Sequence, residues 1–159
     1  MATIRIQSED FDIGAACAVM TAGPRAGDNV IGGIGCFVGT VRSTSKGRTI
    51  RSMMLEHYPA MTERAMAAIA AKAEARWELL GCVLIHRVGT LRPGENIVLV
   101  LAASPHRQAA LDATGFLIDW LKTRAPFWKK EVFADGSDAW VDANAEDEDA
   151  AARWDATPS

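Results

Sequence analysis

The chain has no apolar run approaching the roughly 20 residues needed to span a bilayer, and its opening, Met1 to Asp10, lacks the hydrophobic stretch of a signal peptide. A cytoplasmic protein without a membrane role is the expectation. Cysteine is scarce: Cys17, Cys36 and Cys82 are isolated, odd in number and set among apolar neighbours. That excludes a disulfide framework and predicts reduced core residues. His57, His86 and His106 lack metal-ligand spacing, and neither a serine triad nor a nucleophile elbow is present. Positive charge is not in surplus either, since 17 Lys and Arg against 20 Asp and Glu leave a net charge of −3. General nucleic-acid binding needs a basic surface to displace counterions, so it is disfavoured. Any anionic ligand must be held by a local cluster of cations.

With 159 residues, 49% of them apolar, the chain suits one domain with a single sizeable core. Helices and strands alternate without an internal repeat. Asp10 or Asp12 can cap a short first helix running to about Ala22, and the residues from Gly23 to Asp28 form a loop. Ile31 to Arg42 reads as a strand punctuated by glycines that do not fit the dinucleotide fingerprint, so nucleotide binding is discarded there. A basic loop, Ser43 to Arg48, leads to a strand from Ile50 to Tyr58. Pro59 then opens a long alanine-rich helix closed by Gly81, with Met61, Ala65 and Ala68 as core packing.

Cys82 to Leu91 reads as a third strand, and Arg92-Pro-Gly-Glu95 as a type II turn. The apolar run from Ile97 to Ala103 predicts a buried central strand paired with it as a hairpin. Ser104 as N-cap and Pro105 in the first turn open a helix ending near Ala125. Trp128 to Phe133 and Trp140 to Asp142 flank the hairpin signal Asp135-Gly-Ser-Asp138, and the acidic stretch from Ala143 to Ser159 reads as a short helix or a tail, with Trp154 a possible anchor.

Cations gather in three places. Lys122 and Lys129 sit on either side of a helix stop in Lys122-Thr-Arg-Ala-Pro-Phe-Trp-Lys-Lys-Glu131. Arg107, Leu111, Gly115, Ile118 and Lys122 share one helix face, predicted to be largely apolar. A lysine continuing that stripe either snorkels or sits partly desolvated, and desolvation lowers its pKa toward the range of a nucleophile or base. The plainer reading is a helix-end lysine complementing the macrodipole. His106 and Arg107 fall in the first turn of the same helix, where unpaired amides and the positive end of the dipole favour an anion. An exposed pair tolerated on a surface turn is the alternative. Arg42 is a third candidate at a strand end, where a solvated arginine is equally ordinary. By contrast, His86 and Arg87 are strand neighbours pointing to opposite faces, and a structural role is expected.

Taken together, Phe37-Val-Gly-Thr-Val-Arg42, Leu55-Glu-His-Tyr58 with Met61, His86-Arg-Val-Gly89 followed by Gly94-Glu95, Ser104-Pro-His-Arg107, the lysine string and Trp140-Val141 resemble the large, catalytic subunits of molybdopterin synthase, the MoaE family. The likeness runs in order from about residue 30 to 142, and the Lys-x-x-x-Pro-x-Trp-Lys-Lys-Glu string is its most specific piece. It implies an α+β fold of the alpha/beta hammerhead type: a mostly antiparallel sheet packed with helices in a single domain. Residues 1–143 would be the catalytic domain and 144–159 an acidic tail.

The implied enzyme is a sulfurtransferase of molybdenum cofactor biosynthesis that needs no cofactor of its own. It would insert two sulfurs into cyclic pyranopterin monophosphate, precursor Z, making the dithiolene of molybdopterin. The sulfur would come from a small ubiquitin-like carrier with a C-terminal Gly-Gly thiocarboxylate. Lys122 and Lys129 would be the catalytic pair, and Arg42, His106 and Arg107, with Lys129, would bind the substrate. Either lysine could be nucleophile, base or acid. Lys122 is expected to contact the carrier's terminal carbonyl, and Lys129 to donate a proton or stabilise negative charge. Some relatives carry a further arginine where Asn144 stands here. A non-catalytic module that docks such a carrier or a phosphorylated ligand is the alternative.

Helix geometry adds one expectation. Arg107 and Lys122 lie about 22 Å apart on one helix at 1.5 Å per residue, too far for one pterin to bridge. A homodimer, assembling with two carriers into a heterotetramer, would bring the arginine end of one chain to the lysine end of the other.

Overall fold

The computed structural model describes residues 2–22, 30–141 and 145–155. The loop expected over residues 23–28, and Asn144, lie outside the described residues. The first sheet has the order β1-β5-β7-β2, built from Ala2–Gln7, Gly81–Arg87, Asn96–Ser104 and Gly33–Thr40. Only β1, which runs parallel to β5, breaks its antiparallel pattern. The expected α+β class with a mostly antiparallel sheet is what the chain adopts.

Strand β7 is buried on both faces, as its unbroken apolar run requires. Val98, Val100 and Ala102 face a core shared with α2 (Pro59–Trp77) and α3 (Arg107–Arg124). Leu99 and Leu101 face the opposite cluster, which α1 (Ile13–Thr21) covers with Ile13, Ala16, Cys17 and Met20. Asp12 caps α1, its Oδ1 accepting from Ala15 N–H at 2.8 Å. Alternation along β1 turns Ala2, Ile4 and Ile6 to the α2 side, a strand that short apolar spacing in the sequence did not reveal.

A second sheet continues from the first. Its path is β3-β4-β8-β9, formed by Thr44–Ser45, Arg48–His57, Phe127–Phe133 and Asp138–Trp140, with β6 (Gly89–Leu91) on the other side of β4. The expected strand from Cys82 to Leu91 is therefore two strands. Gly89 has φ +93°, a conformation that an L side chain rarely adopts, and it turns the chain from one sheet into the other. The type II turn forms as expected, with Gly94 at φ +89° and Glu95 N–H donating to the Arg92 carbonyl at 3.0 Å. The basic loop tightens into the β3–β4 hairpin through Lys46 and Gly47, both at positive φ.

Several sequence expectations shift. Helix α2 ends at Trp77, with Glu78 left-handed, and Gly81 opens β5 instead of closing the helix. Its core stripe is Thr62, Met66, Ile69, Ala70 and Ala73, so Met61 is 54% exposed and Ala68 faces water. Helix α3 is capped by His106 because ladder pairing with Gly33 keeps Ser104 in β7, where its hydroxyl accepts from His106 N–H at 3.2 Å. The helix buries Ala110, Ala113, Phe116, Leu117 and Leu121. The stripe from Arg107 to Lys122 is thus split: Arg107, Leu111 (60% exposed) and Lys122 face water, whereas Gly115 and Ile118 are half-buried, Ile118 against the core. Of the cysteines, Cys82 is buried, with its thiol pushed up to about 12 by burial, Cys17 is half-buried, and Cys36 is exposed on β2 rather than in the core.

The His86-Arg87 pair is structural at its arginine. Buried Arg87 donates to the Ser8 carbonyl at 3.1 and 2.9 Å and to the Asn96 carbonyl at 3.0 Å. The acidic end forms α4 (Ala145–Ala152) followed by a 3-10 turn, and Trp154 is the anchor. It meets Trp77 and Phe116 edge-on at centroid distances of 5.6 and 5.9 Å. Among the described residues no helix is long and apolar enough to cross a membrane.

The glycines of β2 have a packing reason. A Cβ at Gly35 would sit 2.5 Å from the Ala110 carbonyl oxygen and 2.2 Å from Thr114 Oγ1, so α3 can lie against β2 only if position 35 has no side chain. Gly35→Ala should lower unfolding free energy by about 1–3 kcal/mol, the range for overpacking a tight contact. Denaturant unfolding checks this, and an unchanged midpoint would mean that α3 does not depend on the close approach.

Candidate functional site

Helix α3 and strand β2 run side by side in the same direction. Gly33 lies against Arg107, Gly35 against Ala110 and Thr114. The end of the helix at Lys122 and the end of the strand, just before Arg42, therefore emerge on one side of the molecule. Pro126 cannot continue the helix, and Ala125 turns extended with φ −89° and ψ 132°. The chain passes directly into β8.

Period-two alternation in β8 decides where its lysines go. Phe127, Lys129, Glu131 and Phe133 face inward, whereas Trp128, Lys130 and Val132 face out. Lys130 forms an ion pair with Asp138 at 3.5 Å and lies over the Trp140 ring. Lys129, paired with Leu55 and held on its other edge by Val141 N–H donating to its carbonyl at 2.8 Å, is half-buried.

Burial is the main cause that pulls the Lys129 ammonium below the usual lysine range. The charge of Lys122 adds to it, Asp147 and Glu131 oppose it, and Arg42 adds a smaller push downward. Lys122 and Arg42 thus both bear on Lys129, one from the end of α3 and the other from beyond the end of β2. Lys122 itself is exposed, so the desolvation considered for it from its helix stripe falls on Lys129 instead.

Behind Lys129, the His86 ring stacks on Phe127 at 3.7 Å, with His57 on the other ring contact at 6.2 Å. Burial first, then the charges of Lys129 and His57, bring His86 down to about 4, against the opposing hydrogen bond to the Arg87 carbonyl. His86 is therefore neutral at pH 7, with its proton on Nδ1, which donates to that carbonyl at 2.8 Å. Buried Glu131 accepts from the Ser45 hydroxyl at 3.1 Å.

His106 and Arg107 are exposed at the far end of α3, one as its N-cap and the other as its first residue. Fifteen residues of continuous helix put them about 22 Å from Lys122. Within one chain, Arg42, Lys122 and Lys129 come together and His106 and Arg107 do not join them. A cleft of about 350 Å³ between β1 and the start of α2, lined by Arg5, His57 and Glu63 among others, contains none of these residues. No three His, Cys, Asp or Glu side chains among the described residues gather as metal ligands.

Sequence reasoning missed Glu131, His86 and Asp147 as neighbours of Lys129. Glu131 could have been found from strand alternation, two residues along on the same face. His86 and Asp147 arrive through tertiary packing of β5 and α4, for which no local signal exists.

Comparison with known proteins follows the same lines. A family model described as MoaE protein matches residues 6–124. The chain is 51% identical over 154 residues to the molybdopterin synthase catalytic subunit of Ralstonia nicotianae, covering 97% of this chain and 85% of that one. It is similar in structure to the molybdopterin biosynthesis MoaE protein from Burkholderia ambifaria, with a TM-score of 0.80 and 47% identity over 99% of this chain and 100% of that one. One chain of the Helicobacter pylori complex of subunits 1 and 2 of molybdopterin-converting factor shares the fold, with a TM-score of 0.67 and 22% identity over 87% of this chain and 89% of that one. With residues 6–124 matched by the family model and relatives this similar along nearly the whole length, the chain belongs to the MoaE family.

Proposed function

We propose that this chain is the catalytic subunit of a molybdopterin synthase, a sulfurtransferase that moves two sulfurs from a carrier's C-terminal thiocarboxylate to precursor Z. The observation that carries the reading is the convergence of Lys122, Lys129 and Arg42 in a chain of net charge −3. Both reactants are anionic, one a thiocarboxylate and the other a phosphate, and a local cationic patch is what such a protein needs to hold them. A carrier tail ending in Gly-Gly suits the patch, because a segment without side chains can approach a half-buried lysine. The Helicobacter pylori complex of two different subunits, one of which shares this fold, supports a partner subunit by analogy. Three free cysteines among the described residues suit the reducing cytoplasm.

Burial favours exchanging the roles expected for the lysines. Lys129, whose amine burial holds below the usual lysine range, is assigned as the base or transient nucleophile toward the tail carbonyl. Lys122, exposed at the mouth, holds the anionic tail and stabilises developing negative charge. The phosphate falls to Arg42 and to His106 and Arg107 of a second chain, in a homodimer that binds two carriers.

Mass spectrometry of precursor Z incubated with this chain and a thiocarboxylated carrier should show the gain of two sulfurs. Binding without sulfur gain would favour the docking module instead.

The pH dependence follows from the sign of the Lys129 shift. The reactive neutral amine accumulates as pH rises through a pKa lower than the usual lysine value, so single-turnover rate should climb with pH and level off below the ordinary value of about 10.4. Lys129→Arg, which stays charged, should lose at least about 100-fold in rate together with that limb. A Lys129→Arg enzyme with the wild-type profile would remove Lys129 from proton transfer.

For the shared site, Lys122→Ala and Arg107→Ala chains, each inactive alone, should partly recover activity on mixing, because heterodimers keep one intact site. No recovery with subunit exchange confirmed would return phosphate binding to residues on the same chain as Lys122.

A further inference from the structure

Helix α4 is held onto the end of α3 by contacts at both of its ends. Beyond its C-terminus, Trp154 Nε1 and Arg153 Nη2 both donate to Asp119 Oδ2, at 2.8 and 3.0 Å, and Arg76 Nη1 donates to the Trp154 carbonyl at 2.7 Å. Near its N-terminus, Glu148 pairs with Arg124 at 3.3 Å, two residues beyond Lys122. The helix presents one face inward: Asp147 and Ala150 are half-buried, Ala151 is buried, and Trp154 follows one turn later. Acidic residues in a first turn suit the helix dipole wherever they point, but dipole complementarity does not require any of them to face the body of the protein. Asp147 does so, and its carboxylate is among the charges acting on Lys129.

We infer that α4 is an acidic strap, with Asp147 as a positioning residue that counter-charges the lysine patch in the free subunit and must yield it to the incoming carboxylate-type tail of the carrier. The inference rests on the proposed function and adds how access to that site is set. Among the described residues, the groups acting on Lys129 are Lys122 from α3, Arg42 beyond β2, Glu131 on its own strand, His86 from β5 and Asp147 from α4. Glu131 is buried and engaged by Ser45, and His86 is neutral at pH 7. Among the described residues, Asp147 is therefore the negative charge near Lys129 carried on a separable element. A tail carboxylate entering the patch meets it as a like charge. Displacing the strap's N-terminal end breaks the Arg124–Glu148 pair, while the Trp154 end can stay docked.

The test uses the full-length chain and a short peptide ending in Gly-Gly carboxylate as probe. Asp147→Asn should bind the peptide about two- to fivefold more tightly at low salt, the size of a partly exposed charge contact, and the gain should shrink as salt rises. Removing a charge that raises the Lys129 pKa should also move the rising limb of the single-turnover pH profile to lower pH. Trp154→Ala, which frees the strap without altering a charge beside Lys129, should likewise tighten peptide binding. Unchanged or weaker peptide binding by Asp147→Asn would overturn the strap. A wild-type chain that fails to add sulfur to precursor Z would instead overturn the proposed function, and because peptide affinity is read without turnover the two failures are separable.

Discussion

The close approach of α3 to β2 at Gly35 sets the position of everything chemical in this molecule. With the Ala110 carbonyl oxygen 2.5 Å from where a Cβ would stand, helix and strand lie in backbone contact. Because they run in the same direction, their ends emerge together, Lys122 from one and Arg42 from the other. The doubly buried β7 holds this arrangement from beneath, with Leu99, Val100 and Leu101 fully excluded from water. A side chain at position 35 would push the helix outward and separate the cations it now brings together.

Strand alternation then sorts the two lysines at the start of β8 by chemistry. Lys130 points outward to Asp138 and Trp140, where an ion pair and a ring face hold its charge. Lys129, one residue earlier, points in, loses water and meets two other positive charges. Desolvation and like charge both favour the neutral amine, so the fold holds the Lys129 ammonium below the usual lysine range beside two further cationic side chains. A one-residue slip in the pairing of Lys129 with Leu55 would exchange the two lysines.

Much of this was legible in the sequence where a residue's own chemistry constrains the backbone. Pro126 stops α3, Pro93-Gly94 makes the type II turn, and the unbroken run from Ile97 to Ala103 demands burial on both faces. The lysine string placed Lys122 and Lys129 around the helix stop, and Arg42 was a candidate from its strand end. Errors arose where tertiary contact overrode a local signal. Ser104 looks like an N-cap but is kept in β7 by pairing with Gly33. The stripe from Arg107 to Lys122 has an apolar look, yet its two ends and Leu111 are exposed and only Ile118 reaches the core, because a neighbouring face carries Ala110, Ala113, Leu117 and Leu121 there. Desolvation consequently belongs to Lys129. Asp147 had no sequence signal at all, since α4 is placed by tertiary contacts, Trp154 against Trp77 and Phe116 and Glu148 against Arg124.

The central claim is that Lys129 is a desolvated lysine whose ammonium is further discouraged by Lys122. NMR titration of isotopically labelled lysine side chains, with Lys129 assigned by substitution, measures this directly in the folded chain without substrate or partner. The account expects Lys129 to titrate below the other lysines, and Lys122→Ala to move its midpoint upward toward them. A Lys129 that titrates with the exposed lysines, and does not respond to loss of Lys122, would contradict the account.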